Sequence, residues 1–190
     1  MKILRKIFLR HQEDNFIPVN NLRCQVKPFS ELQGFSGRQI EYFPPYDFFK
    51  LSISNRNDAF KDFSAWMNHC LLELGACKVP KSEGGWAKGS LHKLIIKLHL
   101  KKGIELQSID YADAIIISEA IDVRVNYYLD LFQYIKISVQ NNRIIEPVIC
   151  YPQNEQGLYF LYDGHHRASA LKALGVFNIR TNFLQNIGSK

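Results

Sequence analysis

LYFLYDGHHRASALKALGVFNI, residues 158–179, is the stretch whose reading decides the fold. An apolar run, Leu158 to Tyr162, has the β-rich composition of a strand and meets an Asp163-Gly164 turn. A helix opens at once. Ala168, Leu171 and Leu174 recur at three-residue spacing, and Gly175 closes the segment before a second strand over 176–184. The first helical turn, His165, His166 and Arg167, therefore stands at the exit of a strand. Backbone N–H groups without helical partners and the positive end of the helix dipole point outward there, which suits an anion. Gly164 carries no Cβ, so a phosphate oxygen can approach the main chain, and Arg167 can fork onto it. Capping by Asp163 over a solvated first turn is the plainer alternative. Two histidines and an arginine are an unfavourable choice for the positive end of a helix dipole, and that favours the anion site.

Outward from this segment, Glu146 to Tyr151 reads as a short strand separated from the next by the turn-like PQNEQG. Ile121, Val125, Tyr128, Phe132, Ile135 and Val139 mark a long amphipathic helix. Ile104–Ile109 and Ala114–Ser118 read as strands. Upstream, a helix is expected from Asn57, as its cap, to Gly75, with Phe60, Phe63, Met67, Leu71 and Leu74 as its buried stripe. Another runs from Ser90 to Gly103, burying Leu91, Leu94, Ile95 and Leu98 and presenting Lys93, Lys97, Lys101 and Lys102. Residues 15–55 read as loop-rich, with Tyr42, Phe43, Tyr46, Phe48 and Phe49 packing the segment onto a neighbour. Residues 2–10 suit a short amphipathic helix.

Asp163-Gly164-His165-His166-Arg167, followed by an Ala/Leu helix, a glycine and a strand, resembles the ParB/sulfiredoxin superfamily. The preceding IIEPVI strand agrees, and the resemblance covers about residues 104–185. ParB partition proteins carry Gly-Glu-Arg-Arg, of which Gly164 and Arg167 match. Sulfiredoxins place a nucleophilic cysteine where this chain has His165, which excludes their chemistry. The free-serine kinases carry Asp-Gly-His-Thr-Arg, which departs from this chain only at His166. The resemblance implies an α+β fold: a ParB/sulfiredoxin-like sheet with packed helices over 104–190, preceded by a basic, mainly helical, loop-rich region over 1–103.

It also implies a nucleotide site at Gly164, His165, His166 and Arg167 for ATP, ADP or CTP. Such a site uses Mg²⁺, with Asp163 as metal ligand or as cap. By the same likeness Glu119 stands where those kinases keep the base acting on a substrate hydroxyl, with Asp163 and His165 beside the reacting groups. The reaction would be phosphoryl transfer to a small molecule. Two alternatives stand beside it: a DNA-binding module and a non-catalytic nucleotide-binding regulator.

Composition bounds these readings. The chain has 190 residues, 46% hydrophobic and 22% charged, enough for a packed core without a metal or disulfide. Residues 1–103 hold 17 basic and 9 acidic side chains, a net +8, and the remainder 7 and 9. That basic half could contact DNA, although it offers no evident recognition helix. Arg5 and Lys6 interrupt the first apolar run, and no stretch approaches the length of a membrane span. Cys24, Cys70, Cys77 and Cys150 form no CxxC pair and read as buried reduced thiols. A cytoplasmic protein without integral membrane association is expected. KSEGGWAKGS, residues 81–90, fails the Walker pattern because Ser90 and Leu91 follow its glycines. His92 with His99, and His69 with Cys70, lack a third metal ligand at suitable spacing.

Overall fold

The structure is a computed structural model that describes residues 15–24, 37–72, 85–106 and 111–184. The segment 2–10, Cys77 and residues 81–84 of the glycine-rich loop lie outside them. Six strands form one sheet: β1 (Asn15–Pro18), β2 (Leu22–Cys24), β3 (Arg38–Gln39), β4 (Val148–Cys150), β5 (Tyr159–Asp163) and β6 (Asn178–Phe183). Five helices accompany them: α1 (Pro45–Ser54), α2 (Arg56–Leu72), α3 (Gly85–Lys101), α4 (Ala114–Gln140) and α5 (His165–Ala173). The fold is α+β.

The sheet order is β1-β6-β4-β5-β2-β3. β4 runs parallel to β6 and β5 parallel to β2, while the β1/β6, β4/β5 and β2/β3 pairs are antiparallel. Ile17, Leu22, Cys24, Val148, Cys150, Leu161 and Ile179 are buried in the same core as the helical stripes. That arrangement crosses the expected boundary at 103/104. Three strands come from before it and three from after, and α2 and α3 both pack on α4. Among the described residues, the apolar side chains of both halves fill one core.

Local chemistry explains the other departures. Ala114–Ser118 is the first turn of α4, not a strand. Asp113 caps it, its carboxylate accepting from the Ile115 N–H at 2.7 Å, and burial then recurs at Ile116, Ala120 and Ile121. The helical period outweighs the β preference of three successive isoleucines. Residues 104–106 are likewise irregular rather than extended. α1 arises inside the stretch that reads as loop, because Pro45 occupies the first helical position, where a missing N–H costs nothing. Asn55, rather than Asn57, starts α2, its side-chain oxygen accepting from the N–H groups of Asn57 (3.0 Å) and Asp58 (3.3 Å).

The expected stripes hold where they are described. Phe63, Met67 and Leu71 of α2 and Leu91, Ile95 and Leu98 of α3 are buried. Phe63 stacks on Phe48 (4.3 Å) and on Tyr128 (5.8 Å), and Phe49 on Phe132 (5.1 Å), so the aromatic segment is pinned against α2 and α4. Tyr42 is the exception and is exposed. Cys24, Cys70 and Cys150 are buried and unpaired, and burial pushes their thiols up to about 12, 11 and 12. No helix among the described residues is long and apolar enough to cross a membrane.

A single core predicts a single transition. Urea unfolding followed by circular dichroism and by tryptophan fluorescence should coincide. Phe63→Ala should shift both curves together by about 3–5 kcal/mol. Two separated transitions, only one of them moved, would restore the boundary at 103/104.

Candidate functional site

β5 ends at Asp163, and Gly164 turns the chain with φ 90° and ψ 20°, a left-handed conformation that side-chain-bearing residues avoid. α5 follows directly, and no side chain caps its N-terminus. Asp163 thus does not fill the capping role; its carboxylate is exposed and lies 3.6 Å from the Arg167 guanidinium. The glycine is needed for a different approach from the one expected. A Cβ there would sit 2.9 Å from Val148 Cγ1 and 3.2 Å from Val148 Cα. Gly164 is buried against β4, and the close contact is strand to turn rather than ligand to turn.

Arg167 is largely enclosed, its side chain 14% exposed. One amino group donates to the backbone oxygens of Glu146 (3.2 Å) and Pro147 (3.0 Å). The same group meets the Glu146 carboxylate at 2.6 Å. Arg167 therefore ties α5 to the connection between α4 and β4, between two carboxylates. Glu146 is a partner that spacing did not reveal, because it stands 21 residues upstream in a segment read simply as the beginning of a strand.

The two histidines are not equivalent. His166 stacks flat on Tyr128 of α4, with ring centroids 4.3 Å apart and planes within 9°, and meets Phe43 edge-on at 5.2 Å. Its Nε2 is sealed from solvent. Burial lowers the His166 pKa from 6.5 to about 3, helped by His165 and the Arg124 guanidinium nearby. At neutral pH this ring is therefore uncharged, and it contributes packing rather than positive charge. His165 touches Phe43 at 5.6 Å and is half-buried at the start of the turn.

Arg124 and Tyr128 complete this interior wall. The Arg124 guanidinium lies 5.9 Å from the ring centres of Tyr127 and Tyr128, within cation–π range, and its Nη2 donates to the Ser90 carbonyl at 3.4 Å. Burial raises the Tyr128 hydroxyl pKa, against hydrogen bonds with Ser90 and Arg124. The helical period placed Tyr128 on the inward face. Its stacking on a histidine of another helix carries no signal in one sequence.

Glu119 is not brought to the turn. It is exposed on α4, where Lys102 of α3 pairs with it at 3.3 Å. It precedes Tyr128 by nine residues, which on an α-helix is half a turn around and about 13 Å along the axis. Glu119 shares its open cleft with Asp122 and Asp130, on the face away from His166. The role of base on a hydroxyl held at α5 does not fit that placement. A metal at Asp163 fits no better: the carboxylate faces a guanidinium, and no three His, Cys, Asp or Glu among the described residues converge. His99 is buried, its Nε2 accepting from the Asp113 N–H at 3.3 Å, and His69 is exposed.

No family model, curated protein or solved structure matches the chain.

Two predictions follow from the turn itself. Gly164→Ala must adopt a left-handed backbone and push Val148 aside, so it should destabilise the protein by roughly 2 kcal/mol or more in urea titration. A change below about 0.5 kcal/mol would contradict the packing. The His166 shift sets a pH dependence. The unfolded state takes up a proton near pH 6.5 that the folded state refuses until about pH 3, so stability is full above 6.5 and falls with acidification through that window. From pH 7 to pH 5 the wild type should lose about 2 kcal/mol more than His166→Phe, which keeps the stacking without the titration. Parallel pH profiles would show that His166 charges freely in the fold.

Proposed function

We propose that the chain binds a phosphate-bearing small molecule at the N-terminus of α5, with nucleotides the ligand class implied by the ParB/sulfiredoxin resemblance. One observation carries the reading: an uncapped helix N-terminus at a strand exit, with an enclosed Arg167 beside it whose carboxylate partners are themselves exposed. Glu146 and Asp163 are 81% and 65% exposed, and such surface partners hold an arginine by no more than about 1 kcal/mol each. A phosphate offers more. It accepts two parallel bonds from the guanidinium and further bonds from the amides of a first turn that no side chain caps. Glu146 then acts as a stand-in anion that keeps Arg167 placed until a ligand displaces it.

The reading extends to binding and not to phosphoryl transfer. Transfer needs a base within reach of the acceptor hydroxyl, and Glu119 lies on the far side of α4 with Lys102. Positive charge at the turn comes from Arg167 and the helix dipole, since His166 is held neutral.

The displacement model makes an unusual prediction. Glu146→Gln removes the competing charge, so ADP, ATP or CTP should bind roughly fivefold tighter in calorimetric titration, the equivalent of about 1 kcal/mol. Arg167→Ala should abolish binding. Nucleotides that leave the melting temperature of both wild type and Glu146→Gln unmoved would overturn the proposal. Salt-sensitive retention of duplex DNA that survives Arg167→Ala would move the function to the basic first half.

A further inference from the structure

On the other side of Glu146 lies a groove that the α5 turn does not use. It has a volume of about 530 Å³ and is bounded by the end of α4, the connection 142–146, the end of α5 and the start of β6. Val139, Leu171, Val176 and Ile179 supply an apolar wall, and Arg143 and Arg180 line the same space. Phe16, on the edge strand β1 opposite Arg180, reaches in from the rim and is 63% exposed. The volume is that of a small-molecule site, concave and apolar with a few polar groups.

Charge selects the occupant. Glu146 is the acidic residue of the lining, and its carboxylate is held by Arg167 at 2.6 Å. Arg143 has no ion-pair partner among the described residues, so the groove presents net positive charge beside an apolar wall. A polyphosphate would leave most of its hydrated charge against aliphatic side chains, which is costly. A cationic amphiphile would meet like charge. A single carboxylate suits the planar Arg143 guanidinium, and a hydrocarbon or aromatic body suits the wall.

We propose that this groove binds an amphipathic monocarboxylic acid, its apolar body against Val139, Leu171, Val176 and Ile179 and its carboxylate at Arg143. The inference does not rest on the phosphate reading: its ligand contacts Arg143 and the apolar wall, and Glu146, whose carboxylate Arg167 holds, is the lining residue the two readings share.

Decanoate and the fluorescent probe anilinonaphthalene sulfonate serve as test ligands on the full chain. The sulfonate should bind with enhanced fluorescence at one site, and decanoate should displace it where decyltrimethylammonium does not. Val176→Trp, which fills the groove, should remove binding. The variant Arg143→Glu should weaken decanoate about tenfold or more while leaving decanol unaffected. That second variant alters surface charge rather than core volume, so a folding defect in Val176→Trp leaves the test intact. Equal displacement by the cationic amphiphile, decanoate affinity unchanged in the arginine variant, or a dimer that buries the groove in sedimentation would each overturn the assignment. Nucleotide binding that fails while decanoate binds would separate the two proposals.

Discussion

The contact between Gly164 and Val148 governs the arrangement around it. Because the turn has no Cβ, β4 approaches to within ordinary contact of the main chain, and α5 can begin two residues after β5 ends. From that start the helix has one orientation available. Arg167 reaches the carbonyls of Glu146 and Pro147, and His166 is driven between Phe43 and Tyr128. A longer connection would release all three. The motif is therefore first a packing device, and any ligand chemistry is built on amides and a guanidinium that the packing has already placed.

Within that device one histidine serves the interior and the arginine serves the boundary. His166 is exchanged from water into an aromatic slot and gives up its charge. Arg167 sets its guanidinium among carbonyl and carboxylate oxygens at the edge of the core. Adjacent residues on a helix point about 100° apart, so one turn can send successive cationic side chains into different surroundings. Treating His165, His166 and Arg167 as a single cluster, as their adjacency suggests, misses that divergence.

The segments that reported their structure locally were legible. β5, α5 and β6, the stripes of α2 and α3, and the inward face of α4 follow from periodicity and from glycine placement. What was not legible depended on distant pairing. Short pieces such as Leu22–Cys24 carry too few residues to show alternation, and they become strands only because β5 lies alongside. Ala114–Ser118 misled in the other direction, since β-branched composition was outweighed by Asp113 and by the helix that continues beyond it. For the site, the turn was readable and its partners were not. Glu146, Phe43 and Tyr128 meet the motif through tertiary contacts, whereas Glu119 earned its role by likeness of position and stands elsewhere.

The sheet's connectivity bears on how the chain acquires its shape during synthesis. β1 and β2 precede all five helices, yet their partners β6 and β5 emerge only after α4 is complete, and of the two only β2 has an earlier partner, β3. On a ribosome adding about 5–20 residues per second, those two early strands wait for many seconds with open hydrogen-bonding edges. Closing such long loops also slows folding after release. The nascent chain is thus most exposed to aberrant association just before Asn178–Phe183 slots between β1 and β4.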